Sequence, residues 1–363
     1  MVHYFFLLFI AAVVNVWVID TAKADPAKWE RASIEEAELD GPAIRRLIAE
    51  FRDDRIAPGL HSFLIVRDGK LVVEEYFDGW RADELHMQQS VSKSFTSALV
   101  GIAIQRNDFK GVDEGVLGFY PADLDIKHLD DRKRALRVED LLTMRSGTDY
   151  HERGSDSPHD QLNRRSRGWD RFYLDRPMTA QPGTRFQYDS GAVILTSSLL
   201  RQRTGMHADL YAEQHLFLPL GIDDYRWSKN AEGHPHTGGG LYVTPRAMAK
   251  LGLLYLRGGK WGDRQVIPEA WVRASTHMHV EFGDDYRRPH EIGYGYWWWI
   301  LEPDPAGEGV ERIYAALGYL GQHLFVIPEH EMVVVMTAGI AGPAMHEPIM
   351  LLYSHVLPAV SGR

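Results

Sequence analysis

Ser90 and Lys93, three residues apart in Ser90-Val91-Ser92-Lys93, are the best-spaced pair in this chain for nucleophilic chemistry. Positions three apart on a helix are neighbours. Phe95, Ala98, Leu99, Ile102 and Ala103 follow at helical spacing. That pattern predicts a helix starting near Ser90, with Lys93 one turn above the Ser90 hydroxyl. A hydroxyl is a weak nucleophile, and an amine takes its proton only when that amine is neutral. Burial against Phe95, beside the positive end of a helix dipole, shifts an ammonium in that direction. The same residues also fit an ordinary N-cap and a solvated first-turn lysine.

Two further stretches carry suitable chemistry. Tyr188-Asp189-Ser190 lies between Pro182-Gly183-Thr184 and an apolar run from Ala192 to Arg203. A tyrosine on a loop at the start of a helix can relay a proton to or from a reacting group. Its plain reading is a half-buried aromatic, with Ser190 as the N-cap of the helix that follows. Ala316-Leu317-Gly318-Tyr319-Leu320-Gly321-Gln322 ends a strand-like run with two glycines. Glycine lets a ligand approach a strand edge closely, where N–H groups can receive a developing oxyanion. A β-bulge explains the same glycines.

The elements that must position these residues are legible in outline. Pro42 to Arg55 has Ile44, Leu47, Ile48 and Phe51 on one side, a helix pattern. Residues 62–66 and 71–76 read as strands around the turn Arg67-Asp68-Gly69-Lys70. From there to about residue 235 the signals are helical or loop-like. Val138 to Met144 is a short helix ending near Gly147, and Tyr150 to Arg167 is polar and irregular. Thr244-Pro245 opens another helix, with Thr as N-cap and Pro in the first turn. Strands are predicted at 312–316, 323–327 and 332–337, the last two joined by the turn Pro328 to Glu331, and a final helix from about Ala344 to Val356. This order predicts an α/β (α+β) fold. An antiparallel sheet is flanked by N- and C-terminal helices, with a mostly helical lobe inserted.

The chain has 363 residues, 45% apolar, enough for one large domain built as two interleaved lobes. Its net charge of −10 and lack of a Lys/Arg-rich run argue against nucleic acid as a partner. With no cysteine, disulfides, thiolate zinc sites and a cysteine nucleophile are excluded.

The three stretches occur in the order Ser-x-x-Lys, Tyr-x-Ser, Gly-Tyr-Leu-Gly-Gln, with a hairpin before them and paired strands after. That ordered set resembles the serine β-lactamase and penicillin-binding protein superfamily. Its nearest likeness is to the branch holding class C β-lactamases, family VIII carboxylesterases and 6-aminohexanoate-dimer hydrolase. Further phrases carry the likeness: Leu141 to Gly147, Pro182 to Phe186, Gly239 to Pro245 and Phe325 to Pro328. The resemblance spans about residues 40–358 and implies a single β-lactamase-like domain over 25–363. Its sheet lobe covers about 40–85 and 236–363, and its helical lobe about 86–235.

By this resemblance Ser90 is the acylated nucleophile, Lys93 its base partner and Tyr188 the third member. Ser190 stands where class C enzymes carry Asn. The family's Lys-Thr-Gly strand maps onto Ala316-Leu317-Gly318, making the Tyr319 N–H the second oxyanion donor beside that of Ser90. A shifted phasing would put Gly321 and the Gln322 N–H there instead. The chain departs from the pattern at Ala316, where the family has a lysine that helps hold the substrate carboxylate; only Arg312 lies nearby in sequence. The resemblance therefore implies a serine hydrolase acting through an acyl-enzyme on small-molecule esters or linear amides, without cofactor or metal. A β-lactamase or DD-peptidase is the rival within enzymes. A non-catalytic sensor of peptidoglycan fragments is the rival outside them.

Other features weigh less. His234-Pro235-His236 and His277-Met278-His279 lack a third and fourth metal ligand at recognisable spacing. Trp297-Trp298-Trp299, after Tyr294 and Tyr296, reads as a strand with alternating faces, or as a hydrophobic wall for an acyl chain. No Gly-x-Ser-x-Gly elbow of the α/β-hydrolase type is present.

Residues 1–24 read as an export signal. Phe5 to Val18 is apolar apart from Asn15, and Ala22-Lys23-Ala24 fits a small-residue cleavage site, although no Lys or Arg precedes the apolar run. The run is short for a membrane span, so no membrane anchor should remain after cleavage. The mature protein should begin at or near Asp25, outside the cytoplasm. Intact-mass analysis of protein from its native host checks this, and a soluble cytoplasmic species retaining Met1 would refute it.

Overall fold

The computed structural model describes residues 29–283, 288, 290–303 and 312–360. The expected signal and its cleavage site lie outside the described residues. The first helix, Gly41–Arg52, is capped by the Asp40 carboxylate accepting from the Ala43 N–H, and buries Ile44, Leu47, Ile48 and Phe51. The hairpin follows as β1 (Leu60–Arg67) and β2 (Lys70–Tyr76). Asp68 and Gly69 both adopt positive φ, the conformation a tight two-residue hairpin turn requires.

Three short strands, β3 (His86–Met87), β4 (Tyr225–Trp227) and β5 (Leu241–Val243), form a small sheet in the order β3-β5-β4. A tight pair, β6 (Lys260–Trp261) and β7 (Arg264–Gln265), comes next. The remaining strands are β8 (Val280–Glu281), β9 (Glu291–Tyr294), β10 (Trp299–Leu301), β11 (Ile313–Gly318), β12 (Gln322–Ile327) and β13 (Met332–Ala338). With β1 and β2 they make an eight-stranded antiparallel sheet in the order β2-β1-β13-β12-β11-β10-β9-β8.

Every residue of β12 and β13 is buried, because both faces of the sheet are covered. Phe51 of the first helix meets Phe63 of β1 edge-to-face at 5.4 Å. The helix Pro245–Leu256, capped by Thr244 as its sequence predicts, packs on the other face. Val333, which pairs with Val66, and Leu324 both approach Gly252 of that helix, and Phe63 and Val66 point to opposite faces. A methyl group on Gly252 would stand only 2.5 Å from Val333 Cγ1, so the glycine sets how closely helix and sheet approach. No helix among the described residues is long and apolar enough to cross a membrane.

The antiparallel sheet with helices outside it agrees with the pattern read from the sequence, but four local expectations need correction. The sheet is wider than the strands read from the sequence, because β8, β9 and β10 extend its edge. The Trp297–Trp299 run is not an alternating strand. Trp297 sits at φ 60°, all three rings are buried, and only Trp299 belongs to a strand. The final helix is broken into 3₁₀, α and π segments between Gly342 and Ala359. Within 150–167, Pro158–Asn163 forms a helix capped by Ser157.

Replacing Gly252 by Val should overpack the helix–sheet interface and lower stability by about 3 kcal/mol. Chemical or thermal unfolding measures it, and an unchanged midpoint would mean that the helix does not pack there.

Candidate active site

The approach to Ser90 is held rigidly. The Gln88 backbone N–H donates to Leu241 O, and the Gln88 side-chain amide donates to His86 O and Val243 O. Gln89 then takes a left-handed φ of 48°, which is costly for a residue with a side chain. A 3₁₀ turn, Gln89–Val91, carries Ser90 into the helix Ser92–Gln105, so the predicted helix begins two residues later than Ser90 itself. Residues 92–103 are all buried, which makes this helix an interior rod and not an amphipathic surface helix. Ser94 donates to Trp297 O, and Thr96 to Ser92 O and Thr237 O, tying the rod to its surroundings.

Lys93 is 1% exposed. Its Nζ donates to Ser90 Oγ at 2.8 Å and to Gly238 O at 2.5 Å, and lies 4.9 Å from the centre of the Tyr188 ring. Burial lowers the Lys93 amine to about 8, while the negative charges of Glu152 and Asp189 oppose that shift. An amine so placed can be neutral near physiological pH and accept the Ser90 proton. Gly238 also passes close to the Tyr188–Ser190 turn: a methyl group there would stand 3.0 Å from Ser190 O.

Tyr188 stacks on Trp299 with centres 5.7 Å apart and planes 23° from parallel. The N-cap of the helix after it, Ser190–Thr204, is Asp189 and not Ser190. The Asp189 carboxylate accepts from the Ala192 N–H and from the hydroxyls of Tyr173 and Ser146. Burial pushes the Asp189 carboxyl up to about 7. Ser190 is buried outside the cleft lining, and its N–H donates to Glu152 Oε1 at 2.7 Å.

The end of β11 closes the other side. A methyl group on Gly318 would stand 2.6 Å from Gln88 O, so only glycine lets this strand pass so close to the nucleophile turn. Gly318 pairs with Gln322, and Leu320 and Gly321 form the turn at positive φ. Ser90, Tyr188, Trp299, Leu317, Gly318 and Tyr319 line one cleft of about 810 Å³. Gln322 is buried, with its amide donating to Ala338 O, and does not line the cleft. Ala316, paired with Leu324, is buried behind the lining. Asp189, Glu152 and the Gly238 carbonyl were not singled out from the sequence. The run Gly238-Gly239-Gly240 was the available signal for a close backbone approach.

The family model described as Beta-lactamase matches residues 44–353. The chain belongs to that family. It is similar to the 6-aminohexanoate-dimer hydrolase of Paenarthrobacter ureafaciens, 25% identical over 327 residues, which are 82% of this chain and 79% of that one. A Bacillus anthracis protein assigned as a 6-aminohexanoate-dimer hydrolase superposes with a TM-score of 0.72 at 21% identity, covering 93% of this chain and 89% of its own. EstCE1, a hydrolase with promiscuous acyltransferase activity, superposes with a TM-score of 0.69 at 18% identity, covering 91% and 98%. The fold is β-lactamase-like, and membership of this hydrolase family supports enzymatic activity.

The Lys93 environment sets the expected pH dependence. The ratio kcat/KM for an ester should rise with pH along a limb centred near 8, as the amine loses its proton. Asp189→Asn removes a negative charge that holds the Lys93 proton, so the limb should move to lower pH. A purely structural role for Asp189 would lower the melting temperature and leave the limb in place. A pH–rate profile alongside thermal unfolding separates the two outcomes.

Proposed function

We propose that the protein is a serine hydrolase that cleaves small-molecule esters or linear amides through an acyl-enzyme. The observation that carries this reading is the buried Lys93 amine, 2.8 Å from Ser90 Oγ, with its pKa brought down to about 8. Neutral Lys93 takes the hydroxyl proton as Ser90 Oγ attacks the substrate carbonyl. The N–H groups of Ser90 and Tyr319 hold the oxyanion, a placement supported by the close passage of Gly318 over the nucleophile turn. Tyr188 assists proton delivery to the departing alcohol or amine. Water, activated by the same groups, then attacks the acyl-enzyme and releases the acid.

Two features favour esters and linear amides over β-lactams. Ala316 leaves the strand without the lysine expected there, and the 25% identical relative is named for a 6-aminohexanoate dimer and not for a β-lactam. Secretion of the mature chain from Asp25 onward belongs to the same proposal, on the strength of the N-terminal segment.

Ser90→Ala should abolish both turnover and covalent labelling by a fluorophosphonate probe, because among the described residues no other serine accepts a hydrogen bond from a lysine amine. Parental activity in that variant against every ester tested would overturn the mechanism.

Esterase activity should exceed cephalosporin hydrolysis in kcat/KM. A charge-assisted hydrogen bond to the carboxylate contributes about 1.5–3 kcal/mol, so its loss slows β-lactam turnover by roughly one to two orders of magnitude. Parallel assays on p-nitrophenyl esters, a 6-aminohexanoate dimer and a chromogenic cephalosporin provide the measurement. A cephalosporin hydrolysed faster than the best ester would refute the substrate class.

A further inference from the structure

A group of aromatic rings extends outward from the reacting residues and forms one wall of the cleft. Tyr188 begins it: its ring centre lies 4.9 Å from Lys93 Nζ, which bonds Ser90 Oγ at 2.8 Å. Trp299 stacks on Tyr188 at 5.7 Å, and Tyr294 stands edge-on to both, 4.9 Å from Trp299 and 6.4 Å from Tyr188. Phe186 meets Tyr294 at 5.3 Å, and Phe282 closes the circuit at 5.0 Å from Phe186 and 5.9 Å from Trp299. Rings held by mutual edge contacts keep their orientation, so the wall is formed before a substrate arrives.

Phe186 is the member of this wall placed to meet a ligand. Tyr294 and Trp299 are buried, and the Tyr188 ring is engaged by Trp299 and Lys93. Phe282 does not line the cleft. Phe186 is half-buried and lines the cleft two residues before Tyr188. Gln187 between them donates its amide to Tyr150 O, which ties down the segment that carries both rings. Arg153, Arg185 and Arg288 line the same cleft, and a guanidinium favours an aromatic face over an aliphatic one.

We infer that Phe186 receives a planar aromatic group on the leaving side of the substrate, so that esters and amides of aryl-substituted alcohols and amines are preferred. This rests on the hydrolase reading above and specifies its substrate class. Tyr188 delivers a proton to the departing oxygen or nitrogen, so the substituent on that atom lies against the Tyr188 side of the cleft. An aliphatic substituent there gains only apolar burial. An aromatic one adds ring contact with Phe186 and the attraction of a guanidinium.

The test compares esters matched in size and in the acidity of the leaving alcohol. On the leaving side, 2-phenylethyl acetate is set against 2-cyclohexylethyl acetate. On the acyl side, ethyl 3-phenylpropanoate is set against ethyl 3-cyclohexylpropanoate. In the first pair the phenyl ester should be preferred by about threefold or more in kcat/KM, the scale of one aromatic contact. Cyclohexyl has the larger apolar surface, so burial alone would give the opposite order. The acyl pair should show a smaller ratio than the first. In Phe186→Leu the first ratio should fall toward one; a ratio taken within one variant removes any loss from altered folding. A first ratio below about threefold, a larger ratio in the acyl pair, or an undiminished ratio in Phe186→Leu would each overturn the aromatic site while leaving the hydrolase reading intact. Failure to hydrolyse any of the four esters, together with no fluorophosphonate labelling of Ser90, would overturn both.

Discussion

The structure depends on a lysine amine held out of water. An ammonium buried without partners costs several kcal/mol, and the chain meets that cost with two acceptors, Ser90 Oγ and Gly238 O. Those acceptors come from segments nearly 150 residues apart, so the site exists only when both segments are folded together. The same burial that makes the residue costly makes it useful, because it brings the amine within reach of neutrality at ordinary pH. Nearby carboxylates temper the shift. Asp189 and Glu152 both favour the charged form; Glu152 accepts from the Ser190 N–H and Asp189 from the Ala192 N–H, at the start of the same helix.

Backbone geometry does the rest of the positioning. Gln89 is forced into a left-handed conformation directly before Ser90, with the Gln88 amides fixing the turn to β5. Gly318 brings the edge of β11 against that same turn. Strain and close approach are therefore concentrated where Ser90 must be presented, and the surrounding sheet supplies the rigidity that holds them. Glycine recurs wherever two backbones meet at this site, at Gly238 and at Gly318, because any Cβ would push them apart.

The aromatic wall connects the reacting groups to the rest of the cleft. Tyr188 stacks on Trp299, and the Arg288 guanidinium carbon lies 5.7 Å from the centre of the Trp299 ring. The chain's negative charge elsewhere makes the cationic lining a local property of the cleft.

The spacing of Ser90 and Lys93, the turn chemistry of Asp68-Gly69 and the Thr244-Pro245 helix start are local, short-range signals, and the sequence alone determined them. The order of the motifs was enough to indicate the family and the antiparallel sheet. What it could not determine was longer in range. The 190–204 helix is capped by Asp189 and not Ser190 because the Tyr173 and Ser146 hydroxyls converge on that carboxylate, and neither is near it in sequence. The Trp run departs from strand alternation because Trp297 takes a positive φ, its ring donating to Leu141 O from inside the core. The choice between Gly318 and Gly321 was ambiguous by counting. Only the tertiary structure brings Gly318 to the nucleophile turn and leaves Gly321 in the hairpin turn, with Gln322 bonded into the sheet. Spacing along a chain specifies which residues can share a helix face, whereas the meeting of strand, loop and helix at one amine is decided by packing.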